Sequence, residues 1–283
     1  LRPGRLYARL RLTEGGGMRL REISEAEVRQ ALAAHHEALA SGDRRLIKSD
    51  DRSRISAIEV AGRRLVIKEV LFRGLARSFV DLARGSAGRR AWLGGHGLIA
   101  RGVGAARPLA FVESRRGGLV VGSAVLLEDL RSLQDALEVA TQGDSEALRD
   151  ALAGLVATLH RRRIDHGDLK STHIFLKREK EGGRLVPQLI DLEGVRFPRR
   201  FGPKRRLRAL AQLNASLPDA FPNSARCRAF ARYAAEHPFP GGNRRALERV
   251  VAMSLARRHR WSGPGIHEPE AGVDPSIREP SPE

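Results

Sequence analysis

The sequence predicts an α+β chain of two lobes, a small antiparallel sheet followed by a mainly helical half. Three observations carry that expectation. Short runs rich in Val, Ile and Leu between residues 45 and 127 are separated by Gly-containing turns, as antiparallel strands are. From residue 132 onward apolar residues instead recur at helical spacing, most regularly at Leu148, Leu152, Leu155, Val156 and Leu159. Two further apolar pieces, Ile174-Phe175-Leu176 and Leu189-Ile190, lie inside the helical half and are flanked by acids and histidines. The expected lobes are 21–128 and 129–261, with 1–20 read as a disordered extension and 262–283 as a disordered tail rich in Pro and acids.

Taken in order, residues 1–17 alternate Leu and Arg without a clear amphipathic pattern and reach Met18 through Gly15-Gly16-Gly17, so they read as an upstream extension with Met18 as the start. Ser24 followed by Glu27 is a capping-box signal for a helix from about 25 to 40, closed by Ser41-Gly42. Strand-like pieces follow at 45–48, 55–60 and 64–70, with Ala61-Gly62 as the hairpin turn between the last two. Lys68 stands near the end of the third piece. The loop at 49–54 has no glycine, so it offers no Gly-rich cradle for phosphates, and Arg52 and Arg54 are its anion-reaching groups. Residues 74–101 read as helical around Trp92. Glu69 should point to the strand face opposite Lys68, which leaves Asp81 as the candidate acid partner for that lysine.

Strands at 108–113 and 119–127 come next, and Glu128-Asp129-Leu130 ends the sheet before a helix from Ser132. That junction is a hinge position, where backbone groups of Glu128 and Leu130 would read a nucleotide base. Helices are expected at 145–162, 205–217, 223–236 and 243–258.

The single cysteine, Cys227, forms no internal disulfide and fits a reducing compartment. The longest apolar run, 119–127, falls short of the ~20 residues a membrane-spanning helix needs, so a cytoplasmic protein is expected. A net charge of +18 invites a polyanion, although the arginine skew (only six of 51 basic residues are lysine) is also what codon bias produces. An aromatic content of 5% leaves few stacking platforms, so no nucleic-acid partner is expected.

The candidate chemistry lies at 166–176 and 189–193. Asp168 follows His166 by two residues, Lys170 follows Asp168 by two, and His173 follows by five and leads into a strand. Asp191 ends a second short strand. Two strands joined by a tight turn would bring Asp168, His173 and Asp191 to one rim. Phosphoryl transfer needs that set: a carboxylate to accept a hydroxyl proton and two groups to hold Mg²⁺ on nucleotide phosphates. Each residue alone is ordinary, the acids as turn residues and the histidine as a structural one. Their order along the chain with Lys68 is what points to one mechanism.

The run His166-Gly167-Asp168-Leu169-Lys170-Ser171-Thr172-His173-Ile174-Phe175-Leu176 resembles the catalytic loop of the lipopolysaccharide kinase (Kdo/WaaP) family. That family is a branch of the protein-kinase-like superfamily in which a histidine stands where protein kinases keep asparagine. Ile190-Asp191-Leu192-Glu193 resembles its Asp-Phe-Gly counterpart, and Val66-Ile67-Lys68 its lysine strand. Gly167 departs from the arginine that often precedes the catalytic acid, and Lys170 from a frequent tyrosine.

The resemblance implies a two-lobed protein-kinase-like fold using ATP and Mg²⁺. Lys68 would hold the α/β-phosphates, Asp168 would be the base and Lys170 would neutralise the γ-phosphate. Asp191 and His173 would hold the metal. It implies as acceptor a heptose or Kdo hydroxyl of the lipopolysaccharide inner core, reached at the cytoplasmic face of the inner membrane, with the basic run 196–208 gripping its phosphates. A kinase acting on another small molecule or a protein (aminoglycoside-phosphotransferase-like or Rio-like), and an inactive kinase-fold scaffold, are the rival readings.

Overall fold

The computed structural model describes residues 3–257, apart from 14, 72–73, 75–80, 82, 144 and 180–182. The expected tail at 262–283 and much of the segment 74–86 therefore lie outside the described residues. A seven-stranded antiparallel sheet is ordered β1-β2-β7-β8-β5-β4-β3. Its strands are β1 (Tyr7–Leu12), β2 (Gly15–Leu20), β3 (Leu46–Ser49), β4 (Ser53–Val60), β5 (Arg63–Val70), β7 (Pro108–Arg116) and β8 (Leu119–Glu128). Its turns are built as the sequence dictates. Ala61 and Gly62 both take positive φ, 50° and 73°, the backbone a two-residue hairpin requires.

The expectation that residues 1–20 are disordered is corrected. β1 and β2 form a hairpin whose second strand pairs with β7, from Gly16 opposite Glu113 to Arg19 opposite Ala110. The glycines are there for close approach: a Cβ at Gly15 would lie 2.2 Å from the Glu113 carbonyl, and one at Gly17 1.8 Å from that of Phe111. The Leu/Arg alternation is a period-2 strand pattern, with Leu10 buried in the core.

Helix α1 (Glu25–Ser41) starts at the predicted capping box, where the Glu27 amide donates to Ser24 Oγ and the Ser24 amide to Glu27 Oε2. It ends at Gly42, whose φ of 63° is the left-handed conformation that favours glycine. Its buried face, Val28, Ala31, His35 and Ala38, packs on β4. Helix α2 (Ala87–Ile99) buries Trp92 among the rings of Tyr7, His96 and Phe111 and packs against β7 and β8.

Beyond Glu128 the chain turns helical. Helix α3 (Ala136–Thr141) starts four residues later than expected, because Asp135 and not Ser132 caps it, accepting from the Leu137 and Glu138 amides. Helices α4 (Ser145–Arg161), α5 (Pro203–Ser216), α6 (Asn223–Glu236) and α7 (Asn243–Leu255) follow. Leu148, Leu152, Leu155, Val156 and Leu159, the stripe read from the sequence on α4, are buried in the core. Two short strands, β6 (Gly104–Ala105) and β9 (Gln134–Asp135), flank the hairpin of β10 (Ile174–Arg178) and β11 (Leu185–Leu189) in a second, four-stranded sheet ordered β6-β11-β10-β9. The antiparallel-sheet half followed by a helical half is the α+β kinase-like architecture.

Candidate functional site

Strand β5 alternates. Leu65 and Ile67 are buried, and Glu69 on that same face meets α1: His35 Nε2 lies 3.6 Å from its carboxylate, and Arg54 is drawn to it at 3.7 Å. Lys68 therefore points to the other face, as predicted. Arg54 thus serves the outer face of the sheet. The loop before it is closed on itself, with Asp50 Oδ1 accepting from the Arg52 and Ser53 amides.

The loop after α4 is held from both sides. Asp165 exchanges two backbone hydrogen bonds with Arg196, at 2.9 and 2.7 Å. Gly167 has φ of 86°, and a Cβ there would meet the Gly194 carbonyl at 2.8 Å. No arginine fits that position, which accounts for the departure noted in the sequence. Gln212 of α5 donates to the Gly167 carbonyl, and Ser171 bonds to Ser216 through both its amide and its hydroxyl. Leu169 is the buried anchor between. His166 is buried and donates from Nε2 to the Ile190 carbonyl at 2.9 Å. Burial, helped by the His173 ring, pushes its pKa down, so it is a neutral strut between the two acid-bearing loops.

The 3-10 turn Ser171–His173 leads into β10, whose Ile174 pairs with Leu189, and the Ile190 amide donates to the His173 carbonyl. This register brings Asp168, His173 and Asp191 together: one ligand-type atom from each lies within 4.8 Å of the others. His173 Nδ1 sits 2.9 Å from the Asp168 carbonyl oxygen. A carbonyl only accepts, so in the neutral ring Nδ1 carries the hydrogen and Nε2 keeps its lone pair for a ligand. Two carboxylates and one such imidazole suit a divalent cation, the carboxylates being the hard donors Mg²⁺ prefers.

Asp191 is one of the few non-glycine residues with positive φ, 57° with ψ 55°. Such strain persists only where surroundings enforce it. Here Lys68 Nζ reaches Asp191 Oδ1 at 2.6 Å and Glu193 Oε2 at 3.3 Å. Burial opposes the charge on each partner, but the attraction outweighs it: Lys68 is held above the ordinary lysine pKa and Asp191 below the ordinary carboxylate range. Lys170 Nζ lies 3.2 Å from Asp168 Oδ2. The structure thus gathers Lys68, Asp168, Lys170, His173 and Asp191 at one rim.

Glu128 and Leu130 lie apart from that cluster, at the end of β8. The Glu128 amide donates to Arg107 and that of Asp129 to Arg64, while the Leu130 amide meets no acceptor among the described residues. One sequence expectation changes. Asp81 is paired with Arg90 at 3.0 Å, and the acids beside Lys68 are Asp191 and Glu193. Glu193 was given no role from the sequence. The signal was the Asp-x-Glu spacing, which a tight 3-10 turn (Leu192–Gly194) folds toward one lysine. Elsewhere, an apolar cavity of about 820 Å³ between α4, α5, α6 and α7, lined by Leu152, Leu213, Phe221, Phe230 and Leu247 among others, includes none of these rim residues.

Comparison with known proteins follows the same lines. A search of curated proteins finds no match. Among solved structures, WaaP in complex with acyl carrier protein aligns at TM-score 0.55 and 21% identity, over 77% of this chain and 88% of that one, and shares its fold. The Rio2 kinase from Chaetomium thermophilum aligns at TM-score 0.45 and 18% identity, over 89% of this chain and 84% of that one. The family model described as Lipopolysaccharide kinase (Kdo/WaaP) family matches residues 74–233. That match covers more than half of the sequence, and the chain belongs to the lipopolysaccharide kinase (Kdo/WaaP) family of phosphotransferases.

Proposed function

We propose that the protein transfers the γ-phosphoryl group of ATP to a sugar hydroxyl, on heptose or Kdo, in the inner core of lipopolysaccharide. The observation that carries this reading is the convergence of Asp168, His173 and Asp191 within 4.8 Å, with Lys68 at its edge. Lys68 holds the α/β-phosphates, and the Leu130 amide and Glu128 carbonyl read the base. Asp168 accepts the proton of the acceptor hydroxyl as its oxygen bonds to the γ-phosphorus; the bond from phosphorus to the β–γ bridging oxygen breaks and ADP leaves. Lys170, beside Asp168, neutralises charge gathering on the transferred group. Asp191 and His173 would hold the Mg²⁺, whose positive charge would offset that of the phosphates.

The acceptor assignment is supported by family membership and by the surface beside the site. Arg196, Arg199, Arg200, Lys204 and Arg208 are exposed and have no ion-pair partner among the described residues. The backbone bridge between Asp165 and Arg196 ties this ridge to the catalytic loop. Guanidinium groups suit the phosphates of an anionic glycolipid by bidentate contact. The acceptor that family membership suggests places the enzyme peripherally, at the cytoplasmic face of the inner membrane, where the basic ridge would meet its phosphates; no helix among the described residues is long and apolar enough to cross a membrane.

Radiolabelled transfer from ATP to purified deep-rough lipopolysaccharide tests this reading. Wild type is expected to label the glycolipid, and Asp168→Ala to lower the rate by about 10²- to 10⁴-fold. Labelling that survives the substitution at near wild-type rate contradicts the base assignment. ATP binding without transfer to any core sugar contradicts the acceptor.

A further inference from the structure

We propose that Glu193 is the positioning residue for Lys68, supplying from the turn after Asp191 the carboxylate that aims this ammonium at the nucleotide phosphates. The inference rests on the kinase reading and deepens it. Lys68 touches two carboxylates, Asp191 at 2.6 Å and Glu193 at 3.3 Å. Asp191 is also one of the three groups gathered as a cation site. A carboxylate neutralised by a divalent ion holds an ammonium weakly, so Lys68 needs a second anion to keep its direction while nucleotide is bound.

Other acids near Lys68 in sequence are committed elsewhere. Glu69 faces His35, and Asp81 pairs with Arg90. Helix α2 carries no acid along Ala87–Ile99, so it has no side chain to offer Lys68. It acts through its backbone. A Cβ on Gly94 would lie 2.4 Å from the Leu192 carbonyl, and one on Gly95 2.8 Å from Leu192 Cδ1. The helix therefore presses directly on the turn that carries Glu193. On the other side, Gly194 lies against the backbone of His166. Leu192, buried, pins the turn. Glu193 is thus the half-buried acid of a turn clamped between α2 and the catalytic loop, with its carboxylate on Lys68.

A thermodynamic cycle on the full-length protein tests this, using calorimetric binding of Mg²⁺–ADP and the ATP dependence of transfer. Glu193→Gln is expected to weaken Mg²⁺–ADP binding about tenfold or more and to raise KM for ATP in step, leaving KM for the acceptor unchanged. Glu193→Asp restores part of the loss. In a Lys68→Met background the same Glu193→Gln change costs less than about twofold, because there is no ammonium left to aim. Equal losses in both backgrounds overturn the proposal. So does a loss that saturating Mg²⁺ fully repairs, which would make Glu193 a metal ligand. Wild type that fails to bind Mg²⁺–ADP at all overturns the kinase reading itself, whereas wild-type binding with an additive cycle overturns the role of Glu193 alone.

Discussion

Adjacent residues on β5 belong to two different polar clusters. On the cleft face, Lys68 meets Asp191 and Glu193, all partly exposed. On the α1 face, Glu69 meets His35, which is fully buried and bonded through Nδ1 to the equally buried Ser56 at 2.6 Å. Serine, histidine and glutamate in contact resemble a catalytic set by composition. The full burial of His35 and Ser56, with Glu69 half-buried beside them, and their position between a helix and a sheet make them a cross-brace. The functional cluster differs in having donor atoms that still face solvent, a strained Asp191 and a second loop, 165–173, opposite it. Residue identity does not separate the two clusters; accessibility and the number of chain segments that converge do.

The largest expected effect lies on the cleft face. Lys68→Met should lower kcat/KM for ATP by about 10²- to 10³-fold with little change in melting temperature, since it removes a hydrogen-bond donor to the phosphates from a partly exposed site. A loss of stability comparable to the loss of activity would make Lys68 a brace as well. The reverse is expected on the α1 face. His35→Ala leaves Ser56 without its partner and Glu69 with Arg54 alone, and should cost about 2–3 kcal/mol in denaturant unfolding, with KM for ATP within about threefold of wild type. A selective loss of transfer without loss of stability would overturn the distinction.

Gly167→Ala probes the contact between the catalytic loop and the turn bearing Asp191. It forces a side chain into φ of 86° against the Gly194 carbonyl and should cost about 1–3 kcal/mol, with a drop in transfer as Asp168 shifts. A smaller, graded effect comes from the helical lobe. His160 Nδ1 accepts from the Tyr233 hydroxyl, which itself accepts from Arg206, and burial pushes the His160 pKa down to about 3. The unfolded chain binds that proton near pH 6.5, so the stabilisation is complete above 6.5 and is lost as pH falls below it, at up to about 1.4 kcal/mol per pH unit. His96, lowered to about 4 chiefly by burial, adds to the same window. Urea unfolding of wild type and His160→Gln between pH 7 and 4 checks this; equal pH slopes would contradict it.

The sequence carried the rim clearly because local spacing determines it: Asp168, Lys170 and His173 share one loop, and Asp191 is placed by the β10–β11 hairpin register. Lys68 was legible from its place near a strand end and its order ahead of the motifs at 166–193, and strand periodicity sent Glu69 to the other face. Two features were not legible. The β1–β2 hairpin read as a disordered extension because Gly15 and Gly17 answer to backbone atoms of β7 almost a hundred residues away. Glu193 was passed over because the Asp-x-Glu spacing brings it to Lys68 only through a 3-10 turn pressed by the glycine face of α2, a packing that the spacing alone does not announce. Long-range backbone approach is the common cause of both misses.

Calorimetric titration of the wild-type protein with ATP, in the presence of Mg²⁺ and then with the metal chelated, tests the central claim most directly, with Asp191→Asn as the paired variant. The account predicts saturable Mg²⁺-dependent binding that chelation weakens strongly and that Asp191→Asn reproduces in the presence of metal. No binding, or binding indifferent to both Mg²⁺ and Asp191, would contradict the assignment of this rim as a phosphoryl-transfer centre.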